Sequence, residues 1–328
     1  MTSKILVTGG CGYIGSHVVK KLIKFGYEVI VLDDLSTGSL KFLSKKAKFI
    51  KGDFADQTIL NQIMSNGQID TIMHFAAYIN VSESIENPEK YILNNYEKSS
   101  LLWSVAVKNK VPHIIFSSTA AVYGEVGEDL IDEITNAQPL NPYGLSKLQA
   151  EHSLAEMTRN SITSYLIFRY FNVAGADVDG EMGQNPHFAH HLIAKCFDVV
   201  SGKIPYIPIY GDDLGTKDGT CIRDYIHVED IAQAHIVAME YLTENGMSNV
   251  FNLGSGIGYT VKEIIEAVEA ITGTHIPVQI EAKRAGESTM VVANTLKFRS
   301  ATKWEPQYTD IADIIKNAWK WYSEYDNE

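Results

Sequence analysis

Cysteine is scarce in this chain of 328 residues, which has only Cys11, Cys196 and Cys221. They form neither a C-x-x-C pair nor an even set, which argues against a disulfide framework or zinc cluster and fits a reducing compartment. Long apolar runs are missing too. No uninterrupted stretch approaches the ~20 residues that a membrane-crossing helix needs. The opening Met-Thr-Ser-Lys runs directly into Ile5-Leu6-Val7, without the basic, apolar and small-residue segments of a secretory leader. Basic charge is in deficit, with 28 Lys and Arg against 40 Asp and Glu and a net charge of −12. Such a surface repels phosphate backbones and anionic lipid, so neither nucleic acid nor a membrane is expected as a partner. There is no solenoid-period repeat or low-complexity tract, and the histidines show no metal-ligand spacing. The expectation is a cytoplasmic globular protein without a metal, whose 45% apolar residues suffice for a packed core.

What is present is an alternation. Short, β-branched runs at Lys4–Thr8, Glu28–Leu32, Lys48–Lys51, Thr71–His74, His113–Ser117 and Ser164–Phe168 predict strands. Amphipathic stretches at Ser16–Lys24, Gln57–Met64, Glu89–Val107 and Leu145–Met157 predict helices between them. Unbroken apolar strands alternating with helices imply parallel strands covered on both faces, a doubly wound α/β sheet. The alternation loosens after Asn172 into Gly-, Pro- and Asp-rich segments, with one further helical stretch at Val228–Tyr241. The expected organisation is a dinucleotide-binding domain over 1–172, to which the chain returns around 221–250, and a smaller, loop-rich substrate domain over 173–328.

The first strand runs into Gly9-Gly10-Cys11-Gly12-Tyr13-Ile14-Gly15, after which a helix begins. Glycines at 9, 12 and 15 suit a loop that turns tightly, admits a pyrophosphate and packs helix on strand. The helix start beyond offers free N–H groups and a positive dipole end to the anion. A glycine motif alone is weak evidence; its position between the first strand and first helix is the context it requires. The second strand ends in Asp33-Asp34, 18 residues past Gly15. A carboxylate there suits the two ribose hydroxyls of an adenosine and repels a 2′-phosphate, favouring NAD over NADP. The bland alternative is a turn with solvated acids.

Tyr143 and Lys147 stand four residues apart at the start of a predicted helix, so they project from nearly one face. An ammonium beside a phenol favours the phenolate, which would make Tyr143 a general base towards an alcohol giving up hydride. In a chain with 17 tyrosines, about one such pair arises by chance. Its weight comes from position, because the helix follows a strand ending in Phe116-Ser117-Ser118-Thr119, on the side of the sheet where ligands bind. Thr119 could hydrogen-bond a substrate hydroxyl or its keto form.

This combination resembles the extended short-chain dehydrogenase/reductases, with their Rossmann-type fold. Longer strings look like the UDP-glucose 4-epimerases within that family, from end to end: Thr8–His17, His74–Ala77, Val122–Gly124, Asn141–Lys147, Arg169–Asn172, and Asp218–Thr220 with Arg223–Val228. The resemblance implies an isomerase that interconverts UDP-glucose and UDP-galactose through a transient 4-keto sugar, with a tightly held NAD. Tyr143, Lys147 and Thr119 match its catalytic positions. Tyr13 and Ile14 match contacts to the pyrophosphate; Asp33, Asp34, Leu35, Ser36, Thr37 and Gly38 surround the adenosine ribose; Asp53 and Phe54 flank adenine. Phe75, Ala76, Ala77, Ile79, Asn95, Tyr170 and Phe171 line the remainder. On the substrate side, Asn172, Arg223 and Arg284 match positions that grip UDP, Tyr210 falls by the uracil, and His191, Leu192, Glu287 and Val291 complete the set.

Departures are informative. Ile79 stands where the family often has lysine, His191 where it has asparagine, and Glu287 where it has aspartate. Val291 falls where some members carry a bulky tyrosine, and a small residue there leaves room for an N-acetyl group, so UDP-N-acetylglucosamine is a further expected substrate. A 4,6-dehydratase or decarboxylase would place an acid just after the strand-end hydroxyl; here Ala120-Ala121 follow Thr119. Epimerases of other UDP-sugars and a non-catalytic NAD-binding sensor are the alternatives. The apolar bulk of Glu89–Val107 suits either a homodimer seam, shared with the Tyr143 helix, or deeper burial against the sheet.

Overall fold

A computed structural model describes residues 3–65, 69–127, 129–189, 191–283 and 288–325. Its strands among those residues are β1 (Lys4–Thr8), β2 (Glu28–Asp33), β3 (Lys48–Lys51), β4 (Thr71–His74), β5 (His113–Thr119), β6 (Ser164–Tyr170), β7 (Asn172–Ala174), β8 (Ile207–Tyr210), β9 (Ile222–His227), β10 (Asn249–Leu253), β11 (Gly258–Thr260), β12 (Val278–Glu281) and β13 (Met290–Val291). Seven form one parallel sheet in the order β10-β6-β5-β4-β1-β2-β3. The strand order reverses between β1 and β4, which opens a crevice at their carboxyl ends.

The strands form because their residues are apolar on both faces. Ile5, Leu6 and Val7 are fully buried, and so are Ile114, Ile115 and Phe116. One face packs on the helices Tyr13–Lys24 and Val228–Asn245, through Val18, Leu22, Ile231, Ala234 and Leu242. The other packs on Gln57–Ser65, Lys98–Lys108 and Pro142–Thr158, through Leu60, Trp103 and Leu154. Right-handed crossovers leave no other way to cover a parallel sheet.

The expected helix over Glu89–Val107 is not continuous. Pro88–Tyr91 passes into a π-helical turn at Ile92–Glu97 before Lys98–Lys108 resumes as α-helix. The wide turn carries Asn95, which is buried and holds the Tyr78 peptide from both sides: Oδ1 accepts from Tyr78 N at 3.0 Å and Nδ2 donates to Tyr78 O at 2.9 Å. Leu102, Trp103 and Val105 of this stretch pack towards the sheet, while the fully buried Tyr91 packs on Tyr78 and Tyr143. Two helices also start earlier than their apolar periodicity indicates, at Tyr13 and at Pro142.

Beyond Asn172 the chain is less loop-like than its composition implies. β9 is flanked by β7, β11 and β13, and β8 pairs with β12. Helices Leu192–Val200, Val261–Thr272 and Ile311–Tyr325 share a separate apolar cluster around Phe197, Ile264 and Ile315. Between the two clusters the chain adds β10 to the edge of the main sheet.

Candidate active site

The glycine loop lies at the switch point. Gly9 adopts φ +72°, and a Cβ on it would fall 2.5 Å from Ala76 N, so the loops after β1 and β4 touch there. A Cβ on Gly15 would fall 2.2 Å from Gly9 O. The helix that follows has Gly12 as its N-cap, with no side-chain cap and no acidic residue in its first turn. Its N–H groups are therefore presented to the crevice uncompensated, as an anion site requires.

Asp33 closes the other side. It is buried, with Oδ2 accepting from Cys11 N at 2.9 Å and Oδ1 from Leu35 N at 2.8 Å. Burial pushes its carboxyl upward, and the two backbone N–H groups oppose that. Leu35 reaches Asp33 from a left-handed φ of 64°, an uncommon backbone state for a branched residue. Each carboxylate oxygen keeps a free lone pair for a further donor. Ser39 N donates to Cys11 O at 2.9 Å, and Gly38 packs directly on Cys11, so the 33–38 loop is fastened to the glycine loop. Asp34, Ser36 and Thr37 are exposed, and Asp34 accepts from Ser36 N at 2.8 Å. Asp53 accepts from Ala55 N at 2.9 Å and pairs with Lys98, while buried Phe54 packs on His74. Phe75 rests on His235, with ring centroids 5.0 Å apart, and Ile79 points outward at 62% exposure.

Next to this crevice the structure brings Thr119, Tyr143 and Lys147 together. Thr119 ends β5, and its hydroxyl accepts from Ala121 N at 3.1 Å. Asn141 caps the helix Pro142–Thr158 by accepting from Gly144 N at 2.8 Å, which fixes Tyr143 in its first turn. Burial pushes the Tyr143 phenol up, and its hydrogen bond with Thr119 pulls it down. Lys147 is buried, donates to Ser117 O at 2.8 Å and lies 4.8 Å from the Phe116 ring centroid. Burial lowers Lys147 to about 7, against the attraction of Glu151. The expected ammonium effect on the phenol is therefore not the leading influence; desolvation is. Tyr170 donates to, or accepts from, His235 Nε2 at 2.8 Å, and Phe171 N donates to Leu253 O at 3.1 Å.

Candidate substrate residues lie on the second set of strands. Asn172 opens β7 opposite Tyr225 of β9, and Arg223 on β9 pairs in register with Val291 on β13. Arg223 Nη1 donates to Ile222 O at 2.9 Å and to Ser288 O at 3.0 Å. Val291 packs against the cluster of Val122, Tyr123, Leu148 and Phe171, which ties it to the Tyr143 helix. His191 caps the helix Leu192–Val200 through Nδ1 and meets Gln184 through Nε2, while Leu192 packs into that helix's own cluster. Tyr210 ends β8, opposite Glu281 of β12. Arg284 and Glu287 lie outside the described residues.

Residues 5–254 match the NAD dependent epimerase/dehydratase family model. The chain belongs to that family. Its similarity to individual members of the epimerase/dehydratase family runs end to end. A UDP-glucose 4-epimerase of Lacticaseibacillus casei is 42% identical across 98% of this chain and 97% of its own length. A crystal structure of a UDP-glucose 4-epimerase superposes with a TM-score of 0.95 at 43% identity, covering 99% of both chains. The structure of the UDP-Glc/GlcNAc 4-epimerase of Campylobacter jejuni superposes with a TM-score of 0.87 at 41% identity, covering 98% of this chain and 99% of that one.

The residues present fit the family's NAD. Three glycines leave no Cβ in the cradle, the helix N-terminus is uncapped, and Asp33 stands at the end of the adjacent strand. Sequence reasoning missed the polar support behind this epimerase/dehydratase site. Glu151 and Arg169 form a buried pair with Nη2–Oε2 at 2.7 Å, and Tyr123 donates to Asn252 Oδ1 at 2.6 Å. Asp224, beside Arg223, is fully buried and accepts from Ser255 N, Gly256 N and Ala293 N at 2.8, 2.9 and 3.1 Å. A Gly-Ser-Gly turn at 254–256 was the available signal for that last group.

Proposed function

We propose that this chain is a UDP-glucose 4-epimerase that interconverts UDP-glucose and UDP-galactose through a transient 4-keto sugar. The observation that carries the reading is the meeting of Tyr143 with Thr119 at the mouth of the NAD crevice, where an alcohol carbon and a cofactor face can share one site. Bound NAD supplies a reversible acceptor for the hydride of the sugar C4. Gly9, Gly12, Tyr13, Ile14, Gly15 and the Asp33–Gly38 loop would hold it; Asp53, Phe54, Phe75–Ile79, Asn95 and Phe171 would shape the rest of its bed.

Tyr143 removes the proton of the 4-hydroxyl and returns it after the sugar turns over. Thr119 orients that oxygen, and Lys147 supplies positive charge behind the phenol. Ala120 and Ala121 offer no acid to the neighbouring carbons, so chemistry stops at C4. Residues 1–172 are read as the NAD-binding part and 173–328 as the UDP-sugar part, with Asn172, Tyr210, Arg223 and Arg284 on the nucleotide. Arginine suits a diphosphate because its planar fork makes bidentate, charge-assisted bonds. Small Val291 extends the reading to UDP-N-acetylglucosamine, an activity carried in the name of the C. jejuni relative.

No helix of the described residues is long and apolar enough to cross a membrane. Cysteines that form no disulfide suit a cytoplasmic location. Leu93 at 52%, Leu145 at 41% and Met157 at 39% exposure place apolar surface on the outer side of two helices, which supports a homodimer. Sedimentation tests that.

The deciding experiment denatures purified protein, identifies the released nucleotide, and assays UDP-glucose, UDP-galactose and their N-acetyl counterparts. Released NAD and interconversion of the hexose pair are expected. Interconversion without any dinucleotide would overturn the reading.

A further inference from the structure

We propose that Glu151 is a positioning residue for the Tyr143–Lys147 pair: clamped by Ser118 and Arg169, it locks the helix to the strand ends and sets its carboxylate one turn behind the Lys147 ammonium. The proposal rests on the epimerase reading for its role in turnover, and on the geometry for the rest.

Glu151 is buried at 3% exposure and fully engaged. Ser118 donates its hydroxyl to Oε1; Arg169 donates Nε to Oε1 at 3.1 Å and Nη2 to Oε2 at 2.7 Å. Arg169 stands directly opposite Ser118 in the β5–β6 register, and its guanidinium lies 4.8 Å from the Tyr123 ring centroid. Lys147 meanwhile donates to the carbonyl of Ser117. Two consecutive strand residues therefore each hold one charged side chain of the same helix, and the next strand residue is Thr119. A slip of the helix along the strand would break both joints and part Tyr143 from Thr119.

The charges facing Lys147 make the electrostatic half of the case. Its own helix presents Glu151 and, one turn earlier, Tyr143; β5 presents the Ser117 carbonyl, β4 His74 and β6, behind Glu151, Arg169, while Tyr170 meets Ser117 and Tyr143. Buried His74 is held neutral, partly by the Lys147 charge, and Tyr170 is pushed up by burial. Tyr91 stacks edge-on to Tyr143 with centroids 6.4 Å apart. In this setting burial disfavours the ammonium and Glu151 opposes burial. Without the carboxylate, Lys147 loses its proton at lower pH. A neutral amine no longer offers the site a positive charge at neutral pH.

The test titrates the Lys147 ammonium by NMR of 15N-lysine-labelled protein, in wild type and in Glu151→Gln, each against its own Lys147→Met background. Glu151→Gln should lower the Lys147 titration by roughly one pH unit. With Lys147 largely neutral at pH 7 in that variant, kcat there should be about tenfold lower and KM little changed. Glu151→Asp should restore part of the shift. Because an unpaired buried arginine can prevent folding, Glu151→Gln/Arg169→Gln removes both charges, and its titration should lie between those of wild type and Glu151→Gln. An unmoved titration in the variants that fold overturns the proposal, whatever happens to the rate. A wild type without epimerisation would overturn the functional reading alone, since the titration still decides the role of Glu151.

Discussion

The Lys147 ammonium donates to the carbonyl oxygen of Ser117 at 2.8 Å, two residues before the strand ends at Thr119. That bond makes a helix side chain part of the strand terminus. Tyr143, one turn earlier on the helix, is thereby delivered to the Thr119 hydroxyl, and the proposed general base is placed by backbone geometry as much as by its own side chain.

Tyr143→Phe removes the hydroxyl and keeps the ring against Tyr91. Turnover should fall by about 10²–10⁴-fold, the range for loss of a positioned acid–base group. The amount of NAD released on denaturation should not change. Unaltered turnover would remove Tyr143 from the mechanism.

Gly15→Ala tests the cradle. The added methyl would sit 2.2 Å from Gly9 O and 2.9 Å from Gly10 Cα, both of them backbone atoms that cannot rotate away. A stability loss of about 1–3 kcal/mol is expected for overpacking, with less NAD released per chain. Gly127→Ala, whose methyl would meet open space, serves as the control. Equal NAD content in the two variants would show that the Gly15 contact does not shape the cofactor bed.

The main sheet was legible because strands buried on both faces must be short unbroken apolar runs; Lys4–Thr8 and Thr71–His74 stand where that pattern put them. β10 escaped because Asn249 and Asn252 interrupt its apolar run. Buried Asn252 is instead satisfied by Tyr123, Ile131 and Glu133, partners over a hundred residues away. The π turn at Asn95 escaped for a similar reason, since its hydrogen bonds go to a loop rather than along its own helix. At the site, residue type and local spacing pointed to the glycine loop, Asp33, Thr119, Tyr143 and Lys147. The Ser118–Glu151–Arg169 joint exists only where two strands and a helix meet, so no local pattern announces it. The sequence also names the charges near Tyr143 but not its burial, and burial leads.

Acid should unfold the protein through its buried histidines. His235 lies between Ile231 O and the Tyr170 hydroxyl, each at 2.8 Å, and burial lowers it to about 4. His227 is lowered to about 3. An unfolded histidine titrates near 6.5, so between that pH and the folded values the unfolded chain binds more protons. Stability is therefore full above about pH 6.5 and falls as pH drops towards 4. For His235 the complete shift corresponds to roughly 3 kcal/mol. The unfolding free energy, measured from pH 7 to 5, should decline, and His235→Gln should make that decline shallower by up to about one proton. An identical slope in the variant would show that His235 is not titrating as its burial requires.

Val291 offers the sharpest test of sugar choice. It is half-buried on β13, paired with Arg223 and packed towards Phe171, Tyr123 and Leu148, so its side chain lies between a proposed UDP contact and the helix that carries Tyr143. A tyrosine at this position adds a ring to a space now bounded by valine, and the added volume competes first with the bulkier C2 substituent. Val291→Tyr should therefore lower kcat/KM for UDP-N-acetylglucosamine by about tenfold or more relative to UDP-glucose, because filling a pocket by a few atoms is worth ~1–3 kcal/mol of discrimination. Measuring both substrates on the same preparation separates this from a general loss of folding or NAD, which would lower the two together. An unchanged ratio would place the C2 substituent elsewhere and leave Val291 as packing between β13 and the Tyr143 helix.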